Sequence, residues 1–573
     1  MLAWSTRGLT LYGVMHNKRE TAAAGLLMLG LPLLGAATLA AESQVLSRPP
    51  EVQLAGERVV GRASPTAGVN AFLGVPFAEP PVGPLRWQAP VDYLGRGGVR
   101  RAERFAPACL QTTRILDWYR SMAERFGASR SVFEDLETSE DCLYLNVWAP
   151  ANVSLPANVS SPTNASSPAG HRTHLAPVMV FIHGGSNRSG WSFEPNYHGH
   201  RLAAEGVVVV SIAYRLGVFG FFSHPELAGQ SVTANFGLWD QLSALRWIQR
   251  NIGRFGGDPQ RVTVFGESSG AGNIAMLMVA PQARGLLHRA ILQSGGDFGW
   301  PGLRSLAAER SRGVQLAAAL DATRPPNLAA LRAMDGRMLM QRAEQVFRDH
   351  YHAPVQDGVL VTQSVAQRLA QGEVPLGSLL IGTNANEYYQ PLAATLAAAA
   401  AREAFERALT SAEVLNTAEA RAALRDEPDI ATAIDRLQSA ESMLCPAQLL
   451  ASATAAAGIP TWMYWFSRVR EGTEAAQLRA YHGAELPYVF GTHDAWLPTS
   501  PIDGQLTRAM MRAWVNFAAT GSPEGDGLPA WPQFRSSGPS SVMAWADTPA
   551  VIGTPEPTLC GLYRDRLVAS ASQ

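Results

Sequence analysis

Apolar residues follow two rhythms along this chain. Short, mainly apolar runs recur at Val178 to Ile182 (VMVFI), Val207 to Ile212 (VVVVSI), Val262 to Phe265 (VTVF) and Ser378 to Ile381 (SLLI). Runs that are apolar on both faces suit central parallel strands covered by helices on either side. Between the second and third runs, Leu238, Leu242, Leu245, Ile248 and Ile252 recur at spacings of 4, 3, 3 and 4, which is one apolar helix face. Repeated strand, helix, strand predicts an α/β fold with a large, mostly parallel central sheet flanked by helices. Residues 391–444 are Ala-rich with few turn signals, and predict a helical layer rather than a separate domain.

Composition narrows the class. Of 573 residues, 47% are hydrophobic and 17% charged, so the chain can bury a large core and is not a disordered polymer. Lys plus Arg is 47 against 48 for Asp plus Glu, which gives no electrostatic reason to expect nucleic acid or an anionic membrane surface.

The N-terminus carries Lys18 and Arg19, then AAAGLLMLGLPLLGAATLAA over residues 22–41. A basic stretch, an apolar run and small residues read as a secretory signal peptide over residues 1–40, with either Met1 or Met15 as the start. The alternative, a membrane anchor, is weakened by Pro32 and the alanines and glycines of the run. Export to the periplasm or beyond is expected, without stable membrane insertion once the signal is removed. Residues 41–573 are expected to form one domain, interrupted by a Pro/Ser/Ala-rich loop at 151–170. That loop holds three N-x-S/T acceptors, Asn152, Asn158 and Asn164.

Four cysteines in the chain, none spaced as CxxC, argue against a structural zinc site, and no metal is expected. An oxidising compartment preserves disulfides. Of the three possible connectivities, sequence proximity favours Cys109 with Cys142, leaving Cys445 with Cys560; four buried thiols are the alternative.

The chemistry concentrates at Gly266-Glu267-Ser268-Ser269-Gly270, a G-x-S-x-G motif between the strand VTVF and the helical stretch GAGNIAMLMVA. In that context the serine sits on a sharp strand-to-helix turn, where the two glycines remove clashes and the helix start offers free N–H groups. A serine alone is a weak nucleophile and needs a base and donors for an oxyanion. His183-Gly184-Gly185-Ser186, after the strand VMVFI, is similar to the Gly-rich donor loop of esterases.

These motifs together identify a resemblance. The chain resembles the type B carboxylesterases, the cholinesterase-like family that includes bacterial para-nitrobenzyl esterases. Matching blocks run in order over nearly the whole chain after residue 73. They include GVPFAEPPVGPLRW (74–87), SEDCLYLNVWAP (139–150), AYRLGVFGF (213–221), RAILQSG (289–295), HGAELPYVFG (482–491) and WVNFAATGSP (514–523). The resemblance implies an α/β-hydrolase fold and a serine esterase that needs no cofactor, acting on small-molecule esters through an acyl-enzyme intermediate. Oligomeric state is left open.

Carried over position by position, the resemblance implies Ser268 as nucleophile, His482 as general base and Glu387, in GTNANEYY, as the acid. It implies an oxyanion hole from the backbone of Gly184, Gly185 and Ser269. It puts Glu267 and Trp300 beside the substrate, the alternatives being that Glu267 is simply part of the serine turn and that Trp300 packs in the core. An unperturbed histidine base implies activity rising with pH through roughly 6–7.

The chain also departs from the family. Tyr388 follows the acid where relatives have Gly, and Ser269 follows the nucleophile where they have Ala. Asp357 is the rival acid, read as a turn-closing residue, and Ser294 is read as a hydroxyl beside the triad. The stretch before Cys142 lacks the Trp that holds choline in cholinesterases; Trp118, Tyr119 and Phe133 lie earlier in that loop. A broad carboxylesterase is therefore favoured over a choline-ester hydrolase. A lipase would be expected to carry a long apolar lid, and a catalytically inactive binding or adhesion protein on the same fold to have lost the serine.

Overall fold

The computed structural model describes residues 49–151, 175–296, 298, 303–321, 323–348, 352–393, 397–493 and 496–571. The expected signal segment, residues 152–170 of the low-complexity loop with Asn152, Asn158 and Asn164, and Trp300 lie outside these residues.

Eleven strands form one large sheet. In chain order they are β1 (Arg62–Ala63), β2 (Val69–Pro76), β3 (Tyr144–Pro150), β4 (Ala176–Ile182), β5 (Val208–Ile212) and β6 (Gly257–Glu267). Then follow β7 (Arg289–Gln293), β8 (Ser378–Asn384), β9 (Thr461–Phe466), β10 (Val542–Trp545) and β11 (Ala550–Ile552). Across the sheet the order is β11-β10-β9-β8-β7-β6-β4-β5-β3-β2-β1. Every pairing from β10 to β5 is parallel, and the two flanks are antiparallel. This is the mixed, mostly parallel sheet that the apolar runs predict. All residues of β4, β5 and β8 are buried, as strands covered on both faces require.

The helices that matter for the site are α1 (Arg114–Arg125), α2 (Phe236–Asn251), α3 (Ser269–Val279), α4 (Cys445–Ala456), α5 (Pro501–Thr520) and α6 (Pro557–Ala571). The periodic residues of α2 and the isoleucine after it, Leu238, Leu242, Leu245, Ile248 and Ile252, are all fully buried. The Ala-rich segment folds into helices at Ala398–Ser411, Ala418–Ala423 and Ile430–Ser439. Two disulfides are present, Cys109–Cys142 and Cys445–Cys560, the second joining α4 to α6. They close loops with sequence separations of 33 and 115, worth about 4–5 kcal/mol each in the chain-entropy account. No helix among the described residues is long and apolar enough to cross a membrane.

One buried ion pair braces the sheet's covering layer. Asp240 on α2 is fully buried and accepts from the Arg215 backbone N–H at 3.0 Å, from Nε at 2.8 Å and from Nη2 at 2.7 Å. Arg215 belongs to the loop leaving β5, so the pair fixes that loop against α2. Removing one partner strands the other charge in the interior. Asp240→Ala is therefore expected to cost about 3–5 kcal/mol, read as a lower urea midpoint. Thiol titration of the denatured, unreduced protein is expected to find no free cysteine.

Candidate active site

The parallel strands end along one edge of the sheet, and open α/β sheets bind ligands outside that edge. Ser268 follows β6, His183-Gly184-Gly185 follows β4, Ser294 follows β7, and Glu387 sits three residues after β8. His482 comes from the long connection after β9.

The turn at Ser268 is crowded. Ser268 has φ +56°, a left-handed value uncommon for a residue with a side chain. A Cβ on Gly266 would lie 2.5 Å from the Ile182 carbonyl oxygen, and one on Gly270 would lie 2.2 Å from the same atom. The flanking glycines are needed because β4 passes directly behind the turn. Above it runs the Gly184 loop: a Cβ on Gly184 would come within 2.8 Å of Ser268 Cβ. Gly185, Ser186 and Asn187 all have positive φ, so this loop curls over Ser268. The Ser269 backbone opens α3 immediately after Ser268.

His482 Nδ1 lies 2.6 Å from Glu387 Oε2, and its Nε2 lies 3.0 Å from Glu267 Oε1. The Glu387 and Glu267 side chains are 0% and 6% exposed, whereas that of His482 is 34% exposed. The ring thus faces solvent between two buried carboxylates. Burial favours a neutral imidazole, but Glu267 and Glu387 outweigh it and lift His482 to about 10. Burial lifts Glu267 to about 8 against the pull of His482. At 3.0 Å the two groups are close enough that their titrations are coupled.

Glu387 is held from several directions. Its Oε1 accepts from the Asn384 N–H at 2.6 Å. Buried Asp435 accepts from the Tyr388 N–H at 3.0 Å and from Asn386 Nδ2 at 2.8 Å, which fixes the turn carrying Glu387. Buried Glu485, three residues after His482, accepts from Asn384 Nδ2 at 2.6 Å and Gln293 Nε2 at 2.9 Å.

Other residues singled out in the sequence have different surroundings. Asp357 accepts from three successive backbone N–H groups, Val359, Leu360 and Val361, each at 2.9 Å, and so closes a turn. The buried hydroxyl of Ser294 has no hydrogen-bond partner among the described residues. The Ser269 hydroxyl does more than the sequence suggests, accepting from the Asn187 N–H at 3.0 Å and tying the Gly184 loop to the turn below it. Trp118, which lies earlier in its loop than the Trp of cholinesterases, has its ring 6.1 Å from that of Tyr481, the neighbour of His482. Glu485 was findable within the HGAELPYVFG block, whereas no sequence signal pointed to Asp435. No cluster of three or more His, Cys, Asp or Glu suited to a metal ion occurs among the described residues.

The carboxylesterase family model matches residues 48–558. The chain belongs to the carboxylesterase family. This carboxylesterase is 33% identical over 502 residues to a fumonisin B1 esterase of Sphingopyxis macrogoltabida, covering 82% of each chain. It is 32% identical over 501 residues to a cocaine esterase of Homo sapiens, again covering 82% of each. A solved PNB esterase superimposes with a TM-score of 0.72 at 28% identity, over 91% of this chain and all of that one. The fold is that of the α/β-hydrolases, and the protein is a carboxylic-ester hydrolase acting on small ester substrates.

Glu267→Gln removes one of the two carboxylates that raise His482. Loss of a negative neighbour destabilises the imidazolium, so the ring's midpoint falls. NMR of labelled histidine is expected to show the His482 titration at least about one unit lower in this variant.

Proposed function

We propose that this esterase works through Ser268 as nucleophile, His482 as general base and Glu387 as the orienting acid, with an acyl-enzyme intermediate. The observation that carries this reading is the His482–Glu387 hydrogen bond of 2.6 Å beside the strained serine turn. Ser268 Oγ attacks the ester carbonyl carbon while His482 Nε2 takes its proton. Backbone N–H groups of Gly184, Gly185 and Ser269 receive the oxyanion. The imidazolium, stabilised by Glu387, then protonates the departing alcohol as the acyl–oxygen bond breaks. Water, deprotonated by the same ring, attacks the acyl-enzyme and releases the acid and the free serine.

Glu267 sets the pH at which this begins. A proton shared between Glu267 and Nε2 must leave before Nε2 can accept one from Ser268. The acid limb of kcat/KM therefore lies above the 6–7 of an unperturbed histidine base.

The relatives named for fumonisin B1, cocaine and acylcarnitine each share about a third of their residues with this chain. That range supports a broad ester hydrolase whose walls, rather than its triad, choose the ester. Export is supported by the apolar leader and by the two disulfides, which persist in oxidising compartments.

Ser268→Ala is expected to leave the melting temperature near that of the wild type and to lower kcat by on the order of 10⁴-fold or more on a 4-nitrophenyl ester. An organophosphate should modify Ser268 alone, as read by peptide mass. Modification of Ser269 or Ser294 with Ser268 untouched would overturn the assignment.

A further inference from the structure

The Gly184 carbonyl and the Gly185 N–H belong to one trans peptide, so they point in opposite directions. Fixing the carbonyl side therefore aims the N–H. On that side, His183 Nδ1 donates to the Gly184 oxygen at 2.9 Å. Gly190 closes the loop against the same atoms: a Cβ there would lie 2.6 Å from the Gly184 oxygen and 2.7 Å from His183 Nδ1. Where Gly190 sits decides how far the Gly184–Gly185 peptide can tip.

Gly190 is placed by a residue from outside the loop. Buried Gln111 uses both ends of its side-chain amide on it: Oε1 accepts from the Gly190 N–H at 2.7 Å, and Nε2 donates to the Gly190 carbonyl at 2.7 Å. Nε2 also donates to the Cys109 carbonyl at 3.0 Å. An N–H against one end and two carbonyls against the other fix which way the amide is turned. Gln111 is anchored in its turn. Cys109, two residues earlier, is bonded to Cys142, which lies two residues before β3. A continuous path thus runs from the main sheet through the disulfide and the amide to the loop over Ser268. Among the described residues, the side-chain hydrogen bonds of Gln111 go to Gly190 and Cys109, and to none of Ser268, Glu387 or His482.

We propose that Gln111 is a positioning residue for the oxyanion hole, holding the Gly184–Gly185 peptide in place by its grip on Gly190. The inference rests on the reading of Ser268 as nucleophile and the Gly184 loop as oxyanion donor. An ester carbonyl leans weakly on such donors and the oxyanion leans strongly on them. A donor that drifts therefore lowers kcat and leaves KM nearly unchanged.

A trifluoromethyl ketone, 1,1,1-trifluorodecan-2-one with carbon-13 at its carbonyl, reads the hole directly by NMR. Ser268 Oγ adds to the carbonyl carbon, the serine proton passes to His482 Nε2, and the carbonyl oxygen becomes the oxyanion of a hemiketal. The carbon-13 shift follows the pH at which that oxyanion takes up a proton. Gln111→Met keeps the length of the side chain without either bond. Its kcat on 4-nitrophenyl butyrate is expected to fall about tenfold, with KM within about twofold of the wild type. The hemiketal midpoint should rise by about one pH unit, the same factor of ten. Gln111→Glu sets a carboxylate oxygen against the Gly190 carbonyl; it should move both readouts in the same direction, and it carries the measurement if the methionine variant does not fold. A normal kcat in a folded variant, or a lowered kcat with an unmoved hemiketal midpoint, overturns the inference, while the wild-type hemiketal at Ser268 leaves the esterase reading intact. A wild-type enzyme that forms no hemiketal, or a hemiketal that persists in Ser268→Ala, overturns that reading and this inference with it.

Discussion

The space around Ser268 admits nothing larger than a hydrogen at three neighbouring positions. Gly266 and Gly270 are pressed against the end of β4, and Gly184 is pressed against Ser268 itself. For Gly266 and Gly270 the nearest atom is the Ile182 carbonyl oxygen, and for Gly184 the Ser268 Cβ is fixed by its own backbone, so no rotamer change relieves these contacts. The left-handed Ser268 is sustained because the strand before it and the helix after it are both fully engaged in the core. From this crowding the rest of the site follows. The serine is lifted out of the sheet edge, the Gly184 loop is forced to within reach of it, and the start of α3 points its backbone at the same spot.

Around that turn the protein concentrates buried carboxylates, and they have separate tasks. Glu387 orients the imidazole, and Glu267 meets its other nitrogen. Glu485 and Asp435 touch neither ring nitrogen but hold the segments that carry Glu387. Burying so much negative charge is costly unless protons or N–H donors compensate it. Here backbone and amide donors compensate Glu387, Glu485 and Asp435, while among the described residues Glu267 has the histidine as its partner.

The sheet was legible because its strands are apolar on both faces, and VMVFI and VVVVSI became β4 and β5 nearly residue for residue. VTVF gave only part of β6, because the polar stretch GDPQR before it joins the sheet through Gly257 alone, with an irregularity before Val262 that side-chain pattern does not reveal. The serine turn could be read from its own glycines. Glu387 and His482 could be selected among 48 acids and 12 histidines only by resemblance, since their partners are far apart in the chain. The approach of Trp118 to Tyr481 was not legible for the same reason: it depends on tertiary contacts that have no local signature. The Ser269 hydroxyl and Asp435 belong to that class as well.

The bond between Cys445 and Cys560 encloses β9, His482 and α5 in a covalent ring, with Ser268 and Glu387 outside it. A protease that cuts the chain once within this ring leaves a nicked enzyme whose pieces remain one molecule. His482 then stays attached to the body that bears Ser268 and Glu387, and a reductant is needed to part them. Such a molecule can outlast its own backbone.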